Sequence, residues 1–166
     1  MSEILAELRG VSRTYQKGKE KVEVLHELDL DIPVGDFVAI MGPSGSGKTT
    51  LLNLLGGLDR PTSGTVRVGG AELSSMSNNQ LSNWRSSHVG FVFQFYNLLP
   101  VLTAQKNVEL PLLLTNFSAK ERAERAAIAL DIVGLADRAK HTPRELSGGQ
   151  EQRVAIARAI VSDPTL

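Results

Sequence analysis

The residues with the clearest chemistry are Gly42-Pro43-Ser44-Gly45-Ser46-Gly47-Lys48-Thr49, which fit the pattern G-x-x-x-x-G-K-S/T in full. Glycines at these places let the backbone fold around a polyphosphate, so that successive N–H groups point inward. A helix opening after Gly47 adds the positive end of its dipole. Lys48 can reach the terminal phosphates, and the Thr49 hydroxyl can ligate Mg²⁺. Thr50 continues the segment into the helix. The bland alternative is a glycine turn between a strand and a helix that binds nothing. The flanking pattern argues against it.

That pattern is the set of elements that must position the loop. Residues 37–41, Phe-Val-Ala-Ile-Met, form a short unbroken apolar run, as a strand buried on both faces of a parallel sheet reads. Residues 49–55 carry a helical pattern. Upstream, residues 4–8 and 22–31 alternate as half-buried strands do, with Lys17-Gly18-Lys19 as a hairpin tip between them. Residues 65–68 and 71–73 flank Gly69-Gly70 and predict a second hairpin. Ser77 and Gln80 predict a capping box for a short helix bearing Leu81 and Trp84. Residues 89–93 read as a second buried strand. From 98 to 144 the pattern is helical, with a capping box at Ser118 and Glu121. Ala123, Ala127, Leu130 and Val133 are expected on one face, up to Gly134. A last helix is expected over about 151–161, stopped by Asp163-Pro164.

Composition bounds the rest. A chain of 166 residues supports one domain of ordinary size. Lys and Arg number 18 and Asp and Glu 18, so net charge is zero with His neutral. That balance gives no electrostatic footprint for nucleic acid, and no nucleic-acid partner is expected. No cysteine is present, which excludes disulfides, thiol catalysis and thiolate-bound zinc. The first residues carry acids and no basic segment, so they do not read as a secretory signal. No apolar run approaches the roughly 18–20 residues that span a bilayer.

A second glycine motif, Leu146-Ser147-Gly148-Gly149-Gln150, sits just ahead of the last helix. By residue type, Ser147 could cap that helix and the glycines could let an anion approach its N-terminus. Taken alone, a plain helix start after a loop is the better reading. It does not stand alone, because Gln94 also ends the segment at 89–93. The combination resembles the ATP-binding subunits of ABC transporters. The loop at 42–49 is similar to the family's Walker A motif, Gln94 to its Q-loop, and Leu146 to Gln150 to its signature. Tyr15 matches the aromatic that stacks on adenine. The stretches at 55–64, 93–100 and 107–111 resemble the lipoprotein-release and macrolide-export branch.

The resemblance implies an α/β fold of the P-loop NTPase type. Its parts would be a parallel-sheet core, an N-terminal antiparallel β-subdomain and an inserted α-helical subdomain. Residues 1–94 would be the β-subdomain and phosphate-loop core, 95–145 the helical subdomain, and 146–166 the signature and its helix. It implies ATP and Mg²⁺ as cofactors, with Thr49 and Gln94 toward the metal. It implies a head-to-tail homodimer in which Ser147 and Gly149 of one chain meet the phosphates held by Lys48 of the other. It implies a transmembrane permease docking near Phe95, Tyr96, Leu98 and Leu99, although each of those side chains reads equally as core. The expected location is the cytoplasmic face of the plasma membrane, peripherally bound.

The chain is expected to stop before the family's catalytic acids and its phosphate-sensing histidine, leaving no catalytic residue and an incomplete sheet. His26, His88 and His141 read as ordinary surface or loop histidines, and Asp163 as a helix-end residue. The leading reading is therefore an ABC-type ATPase whose 166 residues alone do not turn over. The rivals are a soluble ABC ATPase of DNA repair or translation, and a nucleotide-binding fragment.

Overall fold

The alternating N-terminal segments fold as antiparallel strands. In the computed structural model, which describes residues 3–166, β1 (Ile4–Lys17) pairs with β2 (Glu20–Pro33) on one side and β3 (Ser63–Val68) on the other. The short β4 (Ala71–Glu72) completes a four-stranded sheet in the order β2-β1-β3-β4. Ala6 and Leu8 face inward and are fully buried, and so is Val11, which lies out of their period. A register shift between Leu8 and Val11 resets the alternation, and Gly10 at φ 55° sits in it. α1 (Lys48–Leu55) adds Leu51, Leu54 and Leu55 to the buried set, together with Val66, Val68 and Leu73. α2 (Asn78–His88) contributes Leu81 and Trp84. Its expected box forms: Ser77 N–H donates to the Gln80 side chain at 2.8 Å, and Gln80 N–H to Ser77 Oγ at 3.3 Å. The chain divides into two compact units with the boundary between Arg85 and Ser86.

The second unit is helical: α3 (Ala104–Glu109), α4 (Ala119–Ile132) and α5 (Gly148–Ile160), with 3-10 turns between them. Val108, Leu112, Leu130, Leu135 and Val154 are completely or almost completely buried at its centre. Ser118 and Glu121 form the expected reciprocal cap of α4. Asn107, wholly buried, holds the loop ahead of α3. Its Oδ1 accepts from Leu99 N–H at 2.7 Å, and its Nδ2 donates to the carbonyls of Leu99, Leu102 and Thr103, each at 3.1 Å. No helix of the described residues is long and apolar enough to cross a membrane.

Four expectations need correction. Residues 37–41 form no strand, and Phe37 and Met41 are 99% and 88% exposed. Residues 89–93 form none either, with Val92 and Phe93 48% and 41% exposed. An apolar run states a preference for burial, but a ladder also needs a partner strand beside it. The strands described here pair among themselves in the antiparallel sheet. The buried face of α4 carries Ala126, Ala129 and Leu130, while Ala127 is exposed. In so alanine-rich a helix the apolar period is satisfied at more than one phase, and packing on α3 and α5 selects it. Finally, α5 begins three residues earlier than expected, because the Ser147 cap draws both glycines into the first turn.

Candidate functional site

In the first unit the glycine loop ends in α1. Gly47 is the N-cap at φ 87°, a conformation that L side chains rarely adopt. A Cβ there would also fall 2.9 Å from Leu25 Cδ2 and 3.0 Å from the Val24 carbonyl oxygen. At Gly42 a Cβ would fall 2.7 Å from Ser46 Oγ. No side chain caps α1. Its first-turn N–H groups therefore have no side-chain acceptor, which suits them to an external anion. Lys48 curls back over the loop and donates from Nζ to the carbonyls of Gly42 at 2.8 Å and Pro43 at 2.7 Å. Ser46 N–H closes the turn on the Pro43 carbonyl at 3.3 Å. The loop residues from Gly42 to Ser46 are exposed, and so is Thr49; Thr50 is buried against the helix base.

Tyr15 stands on the hairpin that abuts this loop. It pairs with Val22 across β1 and β2, and Arg13 pairs with Leu25, whose side chain touches the Gly47 position. The Tyr15 hydroxyl donates to Asp59 Oδ2 at 2.5 Å. Arg13 grips the same carboxylate with Nε on Oδ2 at 2.9 Å and Nη2 on Oδ1 at 2.8 Å, and its guanidinium carbon lies 4.3 Å from the Tyr15 ring centroid. Arg60 N–H adds a fourth bond, to Oδ1 at 2.8 Å. Burial alone would raise the Asp59 carboxyl; the bonds from Tyr15, Arg60 and Arg13 outweigh it and hold the group below its ordinary range. Neither Arg13 nor Asp59 emerges from sequence reasoning. Arg13 could have been found, two positions from Tyr15 on one strand face. Asp59 carries no local signal, being 44 residues away.

The second unit holds the remaining site residues. Gln94 is exposed and opens a turn in which Tyr96 and Asn97 take φ 58° and 49°. Arg158 on α5 clasps that turn, donating to the Asn97 carbonyl at 2.8 Å and the Tyr96 carbonyl at 2.5 Å. Burial lowers the Arg158 guanidinium's affinity for its proton. Of the apolar residues after Gln94, Phe95 is 81% exposed, whereas Leu98 packs on the helical core. Phe95, Tyr96 and Leu98 share a pocket of about 220 Å³ with Arg144 and with Glu151 of α5. At the head of α5, Ser147 N–H donates to Gln150 Oε1 at 2.8 Å, and Gln150 N–H to Ser147 Oγ at 3.4 Å. Ser147, Gly148 and Gly149 are exposed, while Leu146 anchors the motif on the core.

Comparison with known proteins places this geometry. The family model for the ABC transporter matches residues 25–166. The chain is 56% identical over 162 residues to an ABC transporter ATP-binding protein of Bacillus subtilis, YknY, covering 98% of this chain and 70% of that one. It is 50% identical over 165 residues to the lipoprotein-releasing system ATP-binding protein LolD of Chromohalobacter salexigens, covering 99% and 70%. It is also 50% identical over 162 residues to a macrolide export ATP-binding/permease protein of Aeromonas hydrophila, MacB 2, covering 98% of this chain and 25% of that longer one. Among solved structures, the ATP-binding cassette MJ0796, a dimer bound to ADP and Pi, matches with a TM-score of 0.89 at 45% identity, over 96% of this chain and 71% of that one. The match takes in both the glycine loop with its lysine and the helix headed by Ser147: the chain belongs to the ABC transporter family, as an ATP-binding cassette of the kind found in lipoprotein-release and macrolide-export systems.

Proposed function

We propose that the chain binds MgATP on the loop at 42–49, and that the complete cassette, paired head to tail with a second copy, hydrolyses it to drive a membrane permease in lipoprotein release or export. The observation that carries this reading is the loop closed over the Lys48 ammonium at the head of a helix with no side-chain cap. A polyphosphate would take that ammonium from the Gly42 and Pro43 carbonyls and receive the N–H groups of α1. The residues fit the nucleotide, since a Cβ at Gly42 would press on Ser46 Oγ inside the loop.

Mg²⁺ fits in a particular way. Among the described residues no group of three His, Cys, Asp or Glu could hold a metal by itself. The donors assigned to it are the Thr49 hydroxyl and the Gln94 amide oxygen, which suits an ion that binds through few protein ligands and the phosphates of its nucleotide. When bound, it neutralises phosphate charge. Tyr15 takes the adenine on its ring. Ser147 accepts from Gln150 N–H and so keeps its own O–H to donate to a phosphate presented by the second copy, with Gly149 leaving room for close approach. The exposed Phe95 and its pocket are the assigned contact for the permease, which puts the cassette on the cytoplasmic face of the membrane.

Titration with a fluorescent ATP analogue tests the site. Lys48→Ala is expected to weaken binding by about a hundredfold, as loss of a charged donor from a desolvated phosphate contact should. Unchanged affinity would overturn the assignment.

A further inference from the structure

Tyr15 is held by more than a role as a stacking platform requires. Its hydroxyl donates to a carboxylate that also takes three bonds from Arg13 and Arg60, and the Arg13 guanidinium lies over its ring. These contacts have two consequences. The hydroxyl bond anchors the far end of the ring, and the guanidinium stacked on it sets the direction in which its faces point. The guanidinium covers one face, so a base has only the other. A flat cation on the far side of the ring also polarises its π-system, and the Asp59 carboxylate keeps that cation in place.

We infer that Asp59 and Arg13 are positioning residues for the base of the nucleotide: they hold the Tyr15 ring with one face closed by the Arg13 guanidinium and the other presented to a purine. This deepens the ATP-binding reading above and rests on Tyr15 being the base platform. Asp59 and Arg13 touch no phosphate in this scheme. Their influence should be confined to the base and absent from the polyphosphate. The arrangement spans β1 and the segment that follows α1, so the helix that begins at the phosphate loop also delivers the carboxylate that orients the ring.

The test compares two probes on the purified protein with Mg²⁺ chelated: ATP, and inorganic tripolyphosphate, which has no base. Four variants are needed: Tyr15→Ala, Tyr15→Phe, Asp59→Asn, and the last two combined. Tyr15→Ala should lower ATP affinity about tenfold and leave tripolyphosphate affinity unchanged. Tyr15→Phe removes the hydroxyl bond and should lower ATP affinity about threefold; Asp59→Asn weakens both that bond and the hold on Arg13 and should lower it about fivefold; the double variant should lose less than the two losses combined, because the hydroxyl bond is common to both. Tripolyphosphate binding should be the same in every variant, which also reports that each is folded. Three results overturn the inference while leaving Tyr15 as the platform: an unchanged ATP affinity in Asp59→Asn, equal losses for ATP and tripolyphosphate, or additive losses in the double variant. If instead Tyr15→Ala leaves the ratio of ATP to tripolyphosphate affinity unchanged, the platform reading fails, and this inference fails with it.

Discussion

The molecule carries two glycine-rich motifs at helix heads, and they use glycine for opposite reasons. At 42–49 the fold itself demands glycine. Gly47 sits in the left-handed region, and a Cβ there falls 2.9 Å from the Leu25 side chain of β2 and 3.0 Å from the Val24 carbonyl oxygen. At Leu146-Ser147-Gly148-Gly149-Gln150 the fold demands nothing of the kind. Gly148 and Gly149 lie in the first turn of α5 without a positive φ, and a Cβ on either would meet no atom within 4 Å. Glycine weakens a helix by about 1 kcal/mol relative to alanine. The second motif therefore bears a cost that nothing inside its own unit explains. What explains it must come from outside the chain's own packing, and a nucleotide presented by a second copy is the occupant proposed above. One motif is shaped by its own backbone and the other by what approaches it.

Four experiments sharpen or break that contrast, in descending order of effect. In the complete cassette, Ser147→Arg should abolish ATP-driven pairing and hydrolysis while ATP affinity stays within about twofold, since Ser147 stands on a unit distinct from that of Lys48. Size-exclusion chromatography with ATP reads the first and titration the second; pairing that survives would break the contrast. Gly47→Val should destabilise the fold by about 2–4 kcal/mol, through strain at a left-handed residue and overpacking against β2, and should lose ATP binding. Denaturant unfolding measures it. Gly149→Ala should move stability the other way, raising it by about 0.5–1 kcal/mol, yet lose ATP-driven pairing. A destabilised Gly149→Ala would mean that its glycine is structural after all. Smallest of all, Phe37→Lys in residues 1–166 should change stability by less than about 0.5 kcal/mol, because that side chain is fully exposed. A large loss would show that the run at 37–41 is packed as a strand.

What could be read from the residues was what is local. The loop pattern, the capping boxes at Ser77 and Ser118 and the cap at Ser147 each lie within a few consecutive residues; the two boxes formed as expected, and Ser147 caps its helix with a box the residue types alone had not announced. Features set by remote partners could not be read. The runs at 37–41 and 89–93 announce burial but cannot announce a neighbouring strand. The phase of α4 is decided by α3 and α5, not by its alanines. The same holds for the site. Tyr15 was legible only as an aromatic that the family resemblance singles out, and its tether to Asp59 spans 44 residues and follows from strand and turn geometry alone.

The Arg158 clasp has a mechanical consequence. Its guanidinium joins α5 to the turn that follows Gln94 through two backbone carbonyls, at residues whose left-handed backbone leaves little room to adjust. A load applied to the exposed Phe95 side chain is therefore not absorbed by a soft loop. It passes through the Tyr96 and Asn97 carbonyls into the last turn of α5 and along that rigid rod to its other end, where Ser147 and the two glycines stand. Either the turn and the helix travel together, or both donations break.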